Sequence, residues 1–270
     1  SNFKLSNFLI YVLLATICDV MPLRKINKLI AKYVIKNFKI NNIIAFDILL
    51  KQIGINRKIT VDDLGYLIGP IINAGGRLGY GNYGVELLSS DDTSLVKKRC
   101  IQLIDLNNKR KKIEQNILNE INFEKIKKDN KNVIIYYKPN INEGVIGIIA
   151  ARLKDYFNKP SIVITSSNTT FKGSARSTSN YSIGNLIKLL IDKKIIEKGG
   201  GHNMAAGFTI KKDNIKFLDK FIQQDYHKKN PQYKISHEYD SEISSSAINY
   251  SFMNKINKLG PFGNNNLLPI

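Results

Sequence analysis

Residues Lys198-Gly199-Gly200-Gly201-His202-Asn203-Met204-Ala205-Ala206-Gly207-Phe208-Thr209-Ile210 place three glycines, a histidine and small side chains ahead of an apolar run. Glycine lets a backbone take positive φ or approach a ligand closely, and it commonly follows a helix C-terminus. The stretch is therefore expected to end a helix and form a small loop carrying the His202 imidazole. Exposed N–H groups in such a loop suit an anion such as phosphate, and residues 205–210 then enter a strand. The same residues also read as a plain glycine C-cap before a core strand, with His202 satisfied by ordinary hydrogen bonds.

Three further groupings carry ligands or donors. Asp19 closes an apolar segment, residues 8–20, just before Met21-Pro22-Leu23. A carboxylate at the C-terminal end of a buried strand is a common metal or catalytic position in open α/β sheets, and an Asp before a proline turn is also a routine turn former. Residues 69–79, GPIINAGGRLG, read as a Gly-rich turn that brings backbone donors, Asn73 and the planar fork of Arg77 to one place. Gly75-Gly76 also reads as a tight connection and Arg77 as a surface charge. Residues 171–177, FKGSARS, read as a strand ending in Ser174, Arg176 and Ser177, hydroxyls and a guanidinium able to hold a phosphate.

The formal charge of +19, from 41 Lys and Arg against 22 Asp and Glu, favours a polyanionic partner, either nucleic acid or an anionic membrane surface. Part of the excess is general use of lysine, and Lys109-Arg110-Lys111-Lys112 also suits a solvated helix face. Apolar residues at 43% and charged residues at 23% describe a globular chain, and 270 residues suffice for two domains. Cys18 and Cys100 lack CxxC spacing, which argues for a reducing compartment and against a zinc or disulfide framework. The apolar run 8–18 is too short to span a bilayer and meets Asp19 without a cleavage pattern. A buried strand or helix of a cytoplasmic protein with no membrane attachment is expected. Ser1 in place of Met, and an end on Pro269-Ile270, lead to the expectation of a fragment.

The elements that must position these residues follow from pattern. Ile26, Leu29, Ile30, Tyr33 and Val34 have amphipathic-helix spacing. A second helix is expected over 42–53, stopped by Gly54, and a third is capped by Thr60 with Asp62 and Asp63 in its first turn. Residues 95–128 read as one long helix, polar all round at 107–112, as suits a connection between domains through solvent. Beyond it, strands at 133–137, 161–165, 171–177 and 205–210 alternate with helices at 144–153, 183–197 and 214–224, a compact α/β pattern. The small residues of 144–153 permit close packing on a sheet.

Four stretches in order, INAGGRLG (72–79), EGVIGIIAARL (143–153), GSARS (173–177) and GGGHNMAAGF (199–208), resemble the RecJ family of single-stranded-DNA-specific exonucleases in the DHH phosphoesterase superfamily. The last resembles the mark of the associated DHHA1 domain. ATICDVMPL (15–23) with Asn27 resembles the end of the DHH domain, residues 106–110 with Glu114 the interdomain helix, and GPFGNN (260–265) the entry to an OB fold. The resemblance implies an α/β protein: the C-terminal part of a DHH catalytic domain over 1–90, a long connecting helix over 91–128, an α/β DHHA1 domain over 129–234 and the beginning of an OB-fold domain over 235–270. It implies metal-dependent 5′→3′ hydrolysis of single-stranded DNA in recombination and repair. Mn2+ or Mg2+ would polarise the phosphodiester and generate the attacking hydroxide. Asp19 aligns with the family's last metal-ligating aspartate. Asn73, Arg77, Ser174, Arg176, Gly201 and His202 align with positions that bind the substrate. Single-stranded DNA is the implied partner, with single-strand-binding protein and a helicase as further ones, and a monomer is expected.

The departures bear on activity. The family's Asp-His-His and its DYD-type motif do not occur, and the 3 histidines, His202, His227 and His237, stand apart. Asp19 alone cannot hold a two-metal centre, so the chain is expected to bind nucleic acid while lacking most metal ligands. Asn142 and Ile71 stand where the family often has His and Arg. The alternatives are a DHH/DHHA1 oligoribonuclease or cyclic-dinucleotide phosphodiesterase, and a non-catalytic nucleic-acid-binding module.

Overall fold

The structure, a computed structural model, describes residues 5–167, 170–229 and 239–270. The chain divides into two compact units, Ser1–Asn107 with Ser236–Ile270, and Asn108–Ile235. Among the described residues no helix is long and apolar enough to cross a membrane.

The first unit is helical. Helices α1 (Leu9–Cys18), α2 (Lys25–Asn37), α3 (Ile44–Gln52), α4 (Gly69–Arg77), α5 (Asn82–Ser89) and the start of α6 (Thr93–Glu120) enclose its core. The segment ending in Asp19 is thus a helix, not a strand. Its sequence LIYVLLATIC is apolar on nearly every side, which suits a helix packed among others. In α2 the core takes Ala31 and Val34, whereas Ile26, Leu29 and Tyr33 of the expected stripe face outward. Gly54 does stop α3, with φ +75°.

Thr60 opens the next helix as expected, through a reciprocal capping box: the Asp63 N–H donates to Thr60 Oγ1 at 3.2 Å, and the Thr60 N–H donates to Asp63 Oδ2 at 2.8 Å. Arg57 adds a bidentate pair to the same carboxylate at 2.6 and 2.9 Å. Those guanidinium hydrogen bonds, with the Thr60 bonds, hold the buried Asp63 carboxyl below its ordinary range against the opposing effect of burial. Asp63–Ile68 forms a π-helical turn that runs straight into α4.

The Gly-rich stretch 69–79 is therefore mostly a helix, Gly69–Arg77, and turns only at 78–79. Its glycines serve close approach: a Cβ on Gly69 would lie 2.5 Å from Cys18 Sγ, and one on Gly75 would lie 2.6 Å from the Tyr80 carbonyl oxygen. Gly79 alone in the stretch needs positive φ, at +92°.

The long helix is shorter than its pattern suggests. α6 stops at Glu120, and Asn122 accepts from the Lys125 N–H at 2.8 Å to cap a separate α7 (Phe123–Asp129). Its middle is not solvated all round, because Asn107, Arg110 and Glu114 are buried. Glu114 accepts from Arg110 at 3.0 Å and from Arg152 at 2.8 Å, so one carboxylate is shared between two guanidinium groups.

The second unit holds one five-stranded sheet of order β1-β2-β3-β5-β4. Its strands are β1 (Ile134–Tyr137), β2 (Ser161–Ser167), β3 (Thr170–Arg176), β4 (Lys198–His202) and β5 (Ala205–Ile210). β1 and β2 are parallel, joined through α8 (Glu143–Phe157), and the remaining pairs are antiparallel. α9 (Ile183–Asp192) and α10 (Ile215–Lys229) complete the unit. α9 buries Ile183, Leu186, Ile187 and Leu190, spaced i, i+3, i+4, i+7, in a core shared with Phe171, Ala175, Ala206, Phe208 and Ile210. Each such aliphatic side chain contributes roughly 1.5–3 kcal/mol when fully buried. α9 ends at Asp192, five residues short of the expected 197, and the chain turns there with Lys194 at φ +55°.

Residues 235–238, where the expected OB-fold segment begins, and His237 with them, lie outside the described residues. From 239 onward the described chain contains α11 (Tyr250–Leu259) and an isolated bridge between Gly263 and Asn266.

Candidate nucleic-acid interface

The glycine stretch is a strand, not a cap or loop. β4 runs Lys198–His202 and pairs with β5 across the two-residue turn Asn203-Met204. None of its three glycines has positive φ. Two serve packing. A Cβ on Gly201 would lie 2.4 Å from the Ala205 carbonyl oxygen, and one on Gly199 would lie 2.9 Å from both the Gly207 oxygen and Ile187. Gly200 is different, since a Cβ there meets nothing within 4 Å.

Register determines which side chains share a face, because residues directly opposite one another in a ladder point the same way and alternate residues repeat it. Arg176 and His202 both pair with Ala205, Ser174 and Gly200 with Gly207, and Lys172 and Lys198 with Thr209. These nine residues form three rows on one side of β3, β5 and β4. α8 covers β2 and β3 on that side, with Gly147 over Ser174 and Arg176. A Cβ on Gly147 would lie 2.9 Å from Arg176 Nη2 and 3.1 Å from Ser174 Oγ. Beyond α8, β4 and Gly207 of β5 are exposed while Thr209 is buried, and a groove of about 470 Å³ is lined by Lys172, Ser174, Lys198, Gly207 and Thr209 with Glu143 and Ile146 on its α8 side. α9 packs under the opposite face, where Gly199 meets Ile187.

The site's polar groups are held from behind. Arg176 Nη1 donates to the Ala175 carbonyl at 2.8 Å and to Ser174 Oγ at 3.3 Å, so the guanidinium is aligned beside the hydroxyl. The hairpin turn carrying His202 is anchored on both sides: the Ser177 N–H donates to Met204 O at 2.9 Å, and the Ile183 N–H to Asn203 O at 3.0 Å. Gly184 lets α9 start there, since a Cβ on it would lie 3.0 Å from the His202 carbonyl. Tyr181, 1% exposed, locks the intervening loop by donating to Asp225 Oδ2 at 2.7 Å. His202 itself is exposed at the end of β4.

Asp19, Asn73 and Arg77 lie in the first unit. Asp19 is the exposed C-cap of α1, and the helix closes in a Schellman motif: the Val20 N–H donates to Ile17 O at 3.1 Å and the Met21 N–H to Thr16 O at 2.9 Å. The left-handed position falls on Val20, at φ +53°, where a β-branched residue is strained. The turn is braced by the chain's last segment. Asn264 Nδ2 donates to Val20 O at 2.6 Å and the Leu23 N–H donates to Asn264 O at 2.7 Å, while Arg24 bonds to the Asn265 carbonyl. Gly69, Asn73 and Arg77 recur at four-residue intervals along α4, with Gly69 against Cys18 and both Asn73 and Arg77 exposed.

A divalent metal is not accommodated by these residues alone. Among the described residues no group of three His, Cys, Asp or Glu side chains could hold a metal ion. Burial pushes the neighbouring Cys18 thiol up, with the Asp19 charge adding to the effect, and its Sγ is turned toward Leu64 O and Gly69. Of the two departures noted in the sequence, Asn142 caps α8 by accepting from the Gly144 N–H at 2.9 Å, and Ile71 is a buried core residue.

Residues 130–228 match the model of the DHHA1 domain. The single-stranded-DNA-specific exonuclease RecJ of Haemophilus influenzae is 32% identical over 224 residues, covering 79% of this chain and 39% of that protein. The chain carries a DHHA1 domain and is a RecJ homologue. RecJ of Bacillus subtilis is 29% identical over 258 residues, 93% of this chain and 32% of its own length. The homologue thus spans about two fifths or less of the length of these curated relatives. A crystal structure of RecJ in complex with Mg2+ from Thermus thermophilus shares the fold, with a TM-score of 0.84 at 21% identity over 98% of this chain and 41% of that one. In this RecJ homologue the motif residues Ser174, Arg176 and His202 lie on one sheet face, while Gly201 faces Ala206 in the packed hairpin. Lys172, Lys198, Gly200 and Gly207 were not among the individual site residues expected from the sequence, although Lys198 and the glycines lie in the stretch 198–210. The alternation Lys172, Ser174, Arg176 would have revealed the first, and Lys198, Gly200, His202 the next two, once KGGGH is taken as a strand.

Proposed function

We propose that this chain is the substrate-holding part of a single-stranded-DNA-specific 5′→3′ exonuclease acting in DNA recombination and repair in the cytoplasm. The observation that supports this reading is the shared face of β3, β5 and β4, where the guanidinium of Arg176 and the hydroxyl of Ser174 at the edge of α8 stand in register with the exposed His202 imidazole beside Gly200 and Gly207. The Arg176 fork suits two phosphate oxygens, Ser174 Oγ donates to the same anion, and His202 approaches it from across Ala205. Gly200 and Gly207 let a sugar–phosphate backbone lie close to the sheet. Contacts of this kind position a strand without reading its bases. The net charge of +19 adds long-range attraction.

Asn73 and Arg77 on α4 are proposed as further contacts to the strand. Asp19 is proposed as one ligand of a Mn2+ or Mg2+ centre, whose function in such an enzyme is to activate water and stabilise the charge on the scissile phosphate. Among the described residues no group of three ligand side chains could hold the ion, so the chain on its own is expected to bind a strand and not to cut it.

Fluorescence anisotropy with a 5′-phosphorylated oligodeoxynucleotide tests the reading. Arg176→Ala and His202→Ala are each expected to weaken binding at least tenfold and to lower the slope of log K against log salt by roughly 0.7 for each phosphate no longer neutralised. Unchanged affinity and slope in both variants would refute it.

A further inference from the structure

The row Lys172–Thr209–Lys198 has no part in the phosphate grip proposed above. Lys172 and Lys198 stand on the two strands flanking Thr209, and Lys172 Nζ approaches Thr209 Oγ1 at 3.3 Å. Two strand spacings separate the lysine backbones, roughly 9–10 Å, so both ammonium groups can converge above the threonine. Among the described residues neither is in an ion pair, and the one carboxylate lining their groove is Glu143 on its α8 side. Two ammonium groups brought together there repel each other unless an anion lies between them.

The row also has a defined relation to the first. Four residues separate Lys172 from Arg176 and Lys198 from His202, roughly 13–14 Å along the strands. Between them lies the row Ser174–Gly207–Gly200. A Cβ on Gly200 would meet nothing within 4 Å, and one on Gly207 only the Gly173 oxygen at 3.8 Å. Neither glycine has positive φ. Packing and backbone conformation therefore give no reason for glycine at either position, and a ligand backbone crossing there does. The groove of about 470 Å³ is lined by Ser174 and Gly207 of this row and by both lysines.

We propose that Lys172, Thr209 and Lys198 form a second phosphate subsite. It takes a backbone phosphate of the same strand, two phosphodiester steps from the one at Ser174, Arg176 and His202, with the stretch between them lying over Gly200 and Gly207. The proposal rests on the reading that this sheet face holds a single strand. The site thereby measures substrate length: one nucleotide fills the first position only, and the second is reached when the strand is long enough to span the glycine row.

The test uses the full chain and 5′-phosphorylated oligothymidylates from one to six nucleotides, measured by competition anisotropy at several salt concentrations. Wild type is expected to show a step in affinity between the mononucleotide and the tetranucleotide. Lys172→Gln/Lys198→Gln is expected to bind the mononucleotide as wild type does and to lose the step, at least tenfold for the hexamer, with a salt slope smaller by roughly 0.7. Arg176→Ala is expected to lose affinity at every length. A double-lysine variant that matches wild type at all lengths overturns the subsite, and so does one that weakens the mononucleotide as much as the hexamer. If Arg176→Ala also matches wild type, the sheet-face reading itself fails, which separates the two outcomes.

Discussion

Gly200 and Gly201 are neighbours in one strand, yet alanine at the two positions should act in opposite ways. A Cβ at 201 would sit 2.4 Å from the Ala205 oxygen and 2.5 Å from the Ala206 Cα, both backbone atoms of the paired strand. Neither can swing aside as a side-chain tip would, so β4 must move by roughly an ångström, which strains the Gly201–Ala206 pairing. Overpacking of this kind costs about 1–3 kcal/mol, and a broken ladder hydrogen bond about 1 more. Gly201→Ala is thus expected to destabilise the second unit by about 2–4 kcal/mol. At 200 the added methyl meets nothing within 4 Å. Alanine there narrows the unfolded ensemble and should stabilise by about 0.4–1 kcal/mol. The methyl nonetheless stands on the proposed strand path, so Gly200→Ala should lose oligonucleotide affinity while gaining stability. Urea unfolding gives the first quantity and anisotropy the second. Equal destabilisation by both alanines, or a Gly201→Ala protein as stable as wild type, would refute the packing reasoning. Full affinity in Gly200→Ala would refute the strand path.

Other outcomes follow from the first unit. Val20→Gly removes left-handed strain worth roughly 1–2 kcal/mol against an entropic cost of about 0.4–1. It should raise stability by up to about 1 kcal/mol in chemical denaturation, and a loss of stability would show that the Val20 side chain contributes packing. Asn264→Ala removes the side-chain bond to the Val20 carbonyl. It should speed amide exchange at residues 19–24 and cost about 0.5–1.5 kcal/mol; unchanged protection would mean that the brace is idle. Asp63 has a folded-state pKa below its unfolded value. Its stabilisation is therefore complete above the ordinary carboxylate value of about 3.9 and fades as pH falls through the lower folded value. Asp63→Asn should cost about 1–3 kcal/mol near neutrality and flatten that acid limb in unfolding curves, and an unaltered limb would exclude this carboxylate as its source.

Much of the second unit was legible because its strands declare themselves. VIIYY, SIVIT and AAGFTI are runs of apolar and β-branched residues, and α9 has the helical spacing of a buried face. KGGGH was not legible. Glycines carry no side-chain period, so only pairing with β5 makes the segment a strand, and pairing is a tertiary fact. GPIINAGGRLG misled for a related reason. Its glycines look like turn formers, yet Gly69 and Gly75 exist to bring α4 against Cys18 and the Tyr80 carbonyl. In α6 the charged run hid a buried Arg110–Glu114 pair that also meets the exposed Arg152, because Arg152 lies 38 residues away from Glu114. Ser174, Arg176 and His202 were legible as residue types able to hold a phosphate. Their common face depended on register. The bracing of the Asp19 turn by Asn264, 244 residues from Val20, left no trace in local pattern.

The most direct test of the central claim is an NMR titration of the isotope-labelled chain with a 5′-phosphorylated single-stranded oligonucleotide. The account predicts that the amides of Arg176, Gly200, His202 and Gly207 shift most, while those of α9 and α10 behind the sheet stay in place. Shifts confined to α9 and α10, or spread evenly over lysine-rich helices with β4 and β5 silent, would contradict it.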